Sequence, residues 1–306
     1  MNKTLAIGLA ITAILFAAAL FGQWLAPYDL HHQLKIDYIL DDSGKGYLIA
    51  PPSPPGSDYP LGTDKDGYDL LTKLLNGARY TVLLSIGIAL ARIFIGGSLG
   101  MFMGYYGKQT VKPASGSSSW NMLNGIPVFI ISWFVLRGIT TNSSLSPLSL
   151  SLLTGVVLTA VGIPSVVSSV KGKTQVIRDR QFVQAAQSLG AGHWKIVRSH
   201  LFPHLKENLL VLIVQEVILV LALFGQLGIF NIFVGGTTMY FDMLEYHSRT
   251  NEWGGLIAQW RDLKGIYPWI FYYPLAAYIL LIMGLHFIAH GLEAMYKKRY
   301  AKFSHL

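Results

Sequence analysis

The 306-residue chain contains no cysteine. That excludes a disulfide framework and a thiolate metal site, and it leaves the redox compartment open. Charge is also scarce. Asp, Glu, Lys and Arg make up 13% of the residues, against about 25% in a typical soluble domain. Hydrophobic residues make up 52%, and mean hydropathy is +0.43. An integral membrane protein is therefore the first class to test. Acid is scarcer than base, 16 residues against 24, for a net charge of +8. Such an excess accompanies nucleic-acid binding, but in an apolar chain it points to basic cytoplasmic loops, whose placement can be checked. No nucleic-acid partner is expected.

What the chain does have is apolar residues in long blocks. Six segments are long enough to cross about 30 Å of hydrocarbon as helices: 5–26, 79–104, 122–141, 148–170, 208–230 and 268–295. The first follows a short basic start, Met1-Asn2-Lys3. Its length exceeds the h-region of a signal peptide, about 7–15 residues, and no small-x-small site closes it, so it reads as a retained span. The third is interrupted by Pro127 and carries Arg137 near its end. The short link 142–147 makes spans three and four a tight hairpin.

Charge placement orients the chain. With the N-terminus inside, 14 of the 24 Lys and Arg residues fall on inside segments, and seven of those lie in 171–207. Outside segments hold seven, among them Lys45, and also most of the acid, including Asp41, Asp42, Asp64 and Asp69. The positive-inside rule then places both termini in the cytoplasm, which six spans allow. The outside loop 27–76 contains Pro51-Pro52-Ser53-Pro54-Pro55, which favours extended, irregular backbone and a small external lobe. The outside loop 231–267 carries Tyr240, Trp253 and Trp260, residue types that favour the membrane interface. No internal repeat is evident.

The inside loop 171–207 combines basic residues with apolar ones at helical spacing, including Phe182, Ala185, Ala186, Leu189 and Trp194. Gly190 and Gly192 are expected to break it into two short helices, and Pro203 to mark the entry to the fifth span. The residues alone leave two readings open. One is an amphipathic segment lying on anionic membrane lipid; the other is a docking site for a cytoplasmic partner. Within the spans, Gly96, Gly100 and Gly104 recur every four residues, a pattern for close helix packing inside this chain or against a partner. Arg92 is costly in mid-membrane, by roughly 2.5 kcal/mol or more. Glu216 is its one plausible acidic partner there, so the two either pair or face a wet pathway.

Other constellations carry little. Val167–Thr174 ends like a phosphate loop, but its first glycine is missing and it follows a span rather than a strand. His200 and His204 have helical metal spacing but no third ligand nearby. The adjacent His31 and His32 lie in the outside loop, where a nickel-type substrate could meet them. No catalytic residue, metal site or cofactor is expected.

Three ordered motifs carry a resemblance. Gln184-Ala185-Ala186, three residues, Gly190, twelve residues and Pro203 resembles the "EAA" loop of ABC-importer permeases, with Gln184 at the usually acidic position. Arg198-Ser199-His200-Leu201-Phe202-Pro203 looks like that loop's close in the oligopeptide/dipeptide/nickel branch. Tyr59-Pro60-Leu61-Gly62-Thr63-Asp64 with Gly67, Asp69 and Gly77-Ala78-Arg79, and later Trp253-Gly254, are similar to that branch too, although Tyr68 stands where arginine is common.

The resemblance implies an all-α membrane protein with about six transmembrane helices, the type I ABC-importer permease fold, a cytoplasmic coupling helix and a small external lobe after the first helix. It implies a non-catalytic subunit in a prokaryotic plasma (inner) membrane, carrying peptides, nickel or related solutes. Its partners would be a homologous second permease, two ABC ATPase subunits and an extracellular solute-binding protein. Phe182, Gln184, Ala185, Ala186, Leu189, Gly190, Trp194 and Pro203 would form the ATPase-coupling elbow. The expected divisions are 1–26, a first helix; 27–78, the lobe and an amphipathic lead-in; 79–295, the permease core; and 296–306, a basic tail. The contrasting readings are a secondary transporter or channel without an ATPase, and a membrane scaffold with no transport role.

Overall fold

The protein is described from a computed structural model covering residues 2–40, 46–107 and 127–303. Asp41, Asp42, Lys45, Lys108, Lys112 and residues 122–126 of the expected third span lie outside the described residues.

Five helical segments in the described residues are long and apolar enough to cross a membrane. They are α1 (Lys3–Leu25), α2 (Leu70–Tyr106), α4 (Pro147–Arg178), the segment His193–Ile229, and α9 (Pro268–Phe303). Between α2 and α4 lies α3 (Val128–Thr140), with 13 residues. At 1.5 Å per residue α3 spans about 20 Å, short of the hydrocarbon thickness by itself. Two antiparallel hairpins lie at the end of the helices where α2 begins: β1 (Asp37–Leu40) with β2 (Gly46–Ile49), and β3 (Thr237–Tyr240) with β4 (Glu245–Ser248). A short helix, α8 (Trp253–Gln259), is wedged among α2, α9 and the segment ending at Ile229.

Helix starts follow side-chain chemistry. Asp69 accepts from Thr72 N at 2.7 Å, so α2 begins nine residues before the apolar run at 79. Ser146 accepts from Ser149 N at 3.2 Å, and Pro147 takes the first turn of α4, where its missing N–H costs nothing. The polar lead-in of α2 is buried because the segment before it folds onto it. Lys73 pairs with Asp64, whose Oδ1 accepts from Asp66 N and Tyr68 N at 3.0 and 2.9 Å. Thr81 Oγ1 accepts from Trp253 N at 2.9 Å, fixing α8 to α2.

The main core gathers Val82, Ile88, Leu158, Val220, Phe224 and Trp253 where α2, α4, α8 and the segment His193–Ile229 meet. The glycine row packs inside this chain. A Cβ on Gly96 would meet Val166 at 3.0 Å, one on Gly100 Val167 O at 2.8 Å, and one on Gly104 Thr174 at 2.7 Å. All three contacts are with α4, so the row sets how closely α2 and α4 approach. The residues resembling a phosphate loop, 167–174, are helical and form part of that contact.

Candidate coupling elbow and intramembrane ion pair

α4 ends at Arg178, whose Nη1 donates to the carbonyls of Gly104, Tyr105 and Gly107 at 3.1, 3.2 and 2.6 Å. A cation there meets the orphan carbonyls and the negative dipole end of α2. The chain then turns into α5 (Gln181–Ser188). This helix closes with Ala191 N donating to Ala186 O and Gly190 N to Gln187 O, at 3.0 and 2.9 Å. That is a Schellman motif with Gly190 at φ +78°, the left-handed position that glycine adopts without strain.

α6 (His193–Ile196) follows. The expected second short helix is not separate. It runs through a π-turn, Val197–Leu201, into α7 (Phe202–Ile229) as one continuous segment. Pro203 lies in the first turn of α7, the expected entry to that span, although the helical segment is continuous through it. Its ring would clash with the carbonyl four residues back in a regular helix, and the wider turn, in which Phe202 N donates to Val197 O, precedes it.

The elbow has two faces. Inward, Val183, Ile196, Leu201 and Leu205 form a small core with Tyr105, whose hydroxyl lies 2.7 Å from His193 Nδ1. Outward, Leu189 is 89% exposed and Trp194 75%, with Phe182 exposed beside the His204 ring. Gln184 and Ala185 are exposed and Ala186 is half-buried; Gln184 Nε2 donates to Asp179 O at 3.3 Å. The basic residues Arg180, Lys195 and Arg198 surround this face, also exposed. Two large apolar tips thus stand exposed on a firmly cored elbow. His200 and His204 flank the Phe182 ring, and no group of three potential metal ligands occurs among the described residues.

Arg92 and Glu216 meet in the middle of the helices. Arg92 Nη1 donates to Glu216 Oε2 at 3.0 Å, with both side chains nearly sealed from solvent. Nε and Nη2 of the same guanidinium donate to Leu158 O at 3.0 and 2.6 Å. One side chain thus ties α2 to α4 and α7. The spacing of charges in the sequence pointed to the pair, but not to Leu158 or to Gly162, which makes room for the guanidinium. The Gly162-x-Pro164 break in an apolar helix was the available signal.

At the hairpin end of the helices, Lys65 pairs with Glu245, and His247 lies 3.3 Å from Glu245 and 3.5 Å from Asp66. The hydrogen bond from Lys65 holds the Glu245 carboxyl below the usual range. Burial, then the charge of Asp64, pushes Asp66 up.

Residues 96–302 match the family described as binding-protein-dependent transport system inner membrane component. Residues 1–52 match the N-terminal transmembrane domain of oligopeptide transport permease C. The chain is 24% identical over 282 residues to the glutathione transport system permease protein GsiD of Pectobacterium atrosepticum, covering 92% of this chain and 82% of that one. It is 26% identical over 285 residues to the oligopeptide transport system permease protein OppC of Mycobacterium bovis, covering 92% and 88%. It is 25% identical over 298 residues to the di/tripeptide transport system permease protein DppC of Pseudomonas aeruginosa, covering 95% and 87%. The first match takes in more than half of the sequence and all of the elbow, and on that ground the chain belongs to the family of binding-protein-dependent transport inner membrane components.

Proposed function

We propose that this chain is one of two permease subunits of an ATP-driven importer that carries peptides, or nickel or related solutes, inward across the plasma (inner) membrane of a prokaryote. The relatives named for glutathione, oligopeptide and di/tripeptide transport support that substrate class. The solute path lies between this chain and a homologous permease. Two separate ATPase subunits bind at the elbow, and an extracellular solute-binding protein delivers at the opposite end. Both termini lie in the cytoplasm, in keeping with the basic inside segments. The functional divisions are the first helix 1–26, the lobe and lead-in 27–78, the core 79–295 with the loop 171–207, and the tail 296–306.

The observation that carries this reading is the elbow itself, with Leu189 and Trp194 bare on a buried Val183–Ile196–Leu201 core. Phe182, Leu189 and Trp194 insert into the ATPase, Ala185 and Ala186 permit close approach, and Arg180, Lys195 and Arg198 form the rim. When the ATPase pair closes, the elbow moves as a rigid body. Because α4 and α7 flank it directly and are clamped to α2 through Arg92, all three tilt together. The energy comes from nucleotide-dependent affinity of the partner, and the elbow transmits it.

The test is copurification and transport with Leu189→Asp and Trp194→Asp together. Each apolar tip buried in an interface contributes about 1.5–3 kcal/mol, so the double variant should lose the ATPase at least tenfold while the chain stays in the membrane. Uptake that continues in vesicles lacking any ATPase would establish a secondary transporter or channel instead.

A further inference from the structure

Two histidines and a glutamate stand among the apolar residues of α9. No other Asp, Glu, Lys, Arg or His occurs between 268 and 296. His286, His290 and Glu293 lie four and three residues apart, which in a helix puts them on one face. The opposite face is taken by α1. A Cβ on Gly284 would meet Thr12 at 2.9 Å, and one on Gly291 would meet Leu5 at 2.6 Å. His286 and His290 are turned away from α1, and both are exposed. α7 supplies the facing wall. Gln215 Nε2 donates to Glu293 Oε1 at 3.3 Å, and Ile218 and Leu219 lie beside it. Together these residues line an open cavity of about 340 Å³. Gln215 directly precedes Glu216, so the cavity lies at the depth of the Arg92–Glu216 pair.

Imidazole and carboxyl groups are costly against hydrocarbon, and within spans they face a wet path or a partner. The chemistry of the wall narrows the choice. No Lys or Arg lines the cavity, and Glu293 makes no ion pair among the described residues. The nearest base on α9, Lys297, stands one turn beyond it. Glu293 keeps an oxygen free of Gln215, and each neutral imidazole offers one lone pair. The wall is therefore rich in acceptors and carries acid without base. A metal ion does not suit it: the imidazole rings are 6.2 Å apart, and no three potential ligands gather among the described residues. An ammonium group, with several donors to share among separate acceptors, does suit it.

We propose that this face of α9, with Gln215 and Leu219 of α7, lines the solute path and binds the protonated amino terminus of a peptide. Glu293 is the counter-ion, and His286 and His290 accept from the ammonium as it moves along the helix. The proposal deepens the importer reading and rests on it for the identity of the solute. The wet opening itself does not need that reading.

The chain has no cysteine, so His290→Cys gives it a single thiol on this face. In the full assembly, a water-soluble cationic methanethiosulfonate should modify that thiol about tenfold faster than the anionic sulfonate analogue, after correction for each reagent's rate with free cysteine. Adding Glu293→Gln should bring the two rates together. Trialanine should slow the modification, and N-acetyl-trialanine should not. Ile14→Cys, exposed on α1, is the lipid-facing control and should stay unmodified. If His290→Cys does not assemble, Leu219→Cys reads the same cavity from α7. Modification no faster than that of Ile14→Cys assigns the face to lipid. Modification only after the chain is separated from its partners assigns it to a subunit interface. Either result overturns the proposal, as do equal rates for the two reagents or equal protection by the two peptides. The importer reading fails on a different result, uptake without any ATPase.

Discussion

The guanidinium of Arg92 occupies the space that a side chain on Gly162 would need. Glu216 and Leu158 O then take its donors. Three helices therefore depend on one residue without a side chain. Gly162→Ala should expel the guanidinium and break the pair. Leaving a buried charge uncompensated costs about 3–5 kcal/mol, so Gly162→Ala and Glu216→Leu should each lower the melting temperature sharply. Replacing Arg92 and Glu216 together with leucine should restore most of it. Thermal unfolding of wild type, Arg92→Leu, Glu216→Leu and the double variant gives the coupling energy, and transport by the double variant tells whether the pair serves stability alone.

Gly190 should matter to the elbow and not to the whole. Its φ of +78° is left-handed, and a Cβ there meets nothing within 4 Å. The obstacle to substitution is backbone strain, about 1–2 kcal/mol for an L-residue. Gly190→Ala should weaken ATPase association by roughly five- to thirtyfold with unfolding unchanged. Gly190→Asn, which tolerates this region better, should be milder. Equal binding by all three forms would show that the turn shape is not read by a partner.

The spans were legible because apolar blocks of 20 residues or so suit a lipid interior and little else, and Arg92 with Glu216 was legible because a lone cation in a span needs an anion. The start of α2 was not. Lys73 and Asn76 look like loop residues until Asp64 and the segment before α2 cover them. Pro203 marked the entry to the fifth span, but sequence alone does not show the π-turn that precedes it and relieves its clash. Gly162 was missed for a different reason. It is defined by the Arg92 guanidinium that comes from another helix to fill its space, and glycine is common in membrane helices, so its nearness to Pro164 did not single it out.

The external motif makes its own prediction. Asp64 is fully buried, accepts two backbone N–H groups and pairs with Lys73. Asp64→Ala would strand all three donors, at about 3–5 kcal/mol for the broken pair. Asp64→Asn keeps an acceptor but loses the charge, and should cost less. Proteolysis within 50–66 should accelerate in the order Asn, then Ala, because the segment is held to α2 through this residue.

The contact between the β3–β4 hairpin and residues 65–66 should respond to acid in two opposed ways. Glu245, held below the usual range by Lys65, contributes stability that is present above its unfolded pKa and lost as pH falls through its folded value. Asp66, pushed up by burial and by Asp64, behaves oppositely: its ionisation opposes the folded contact, so stability declines as pH rises through its raised value. Both are partly exposed, which limits each effect to about 0–1 kcal/mol and makes it sensitive to salt. Glu245→Gln should therefore reduce stability slightly at neutral pH and flatten the acid limb. Asp66→Asn should leave neutral stability equal or higher, with His247 losing one of its two carboxylate neighbours. Melting curves for both variants across about pH 4–8, at low and high salt, separate the two slopes. Parallel curves for all forms would mean that these carboxylates do not bear on the joint between lobe and hairpin.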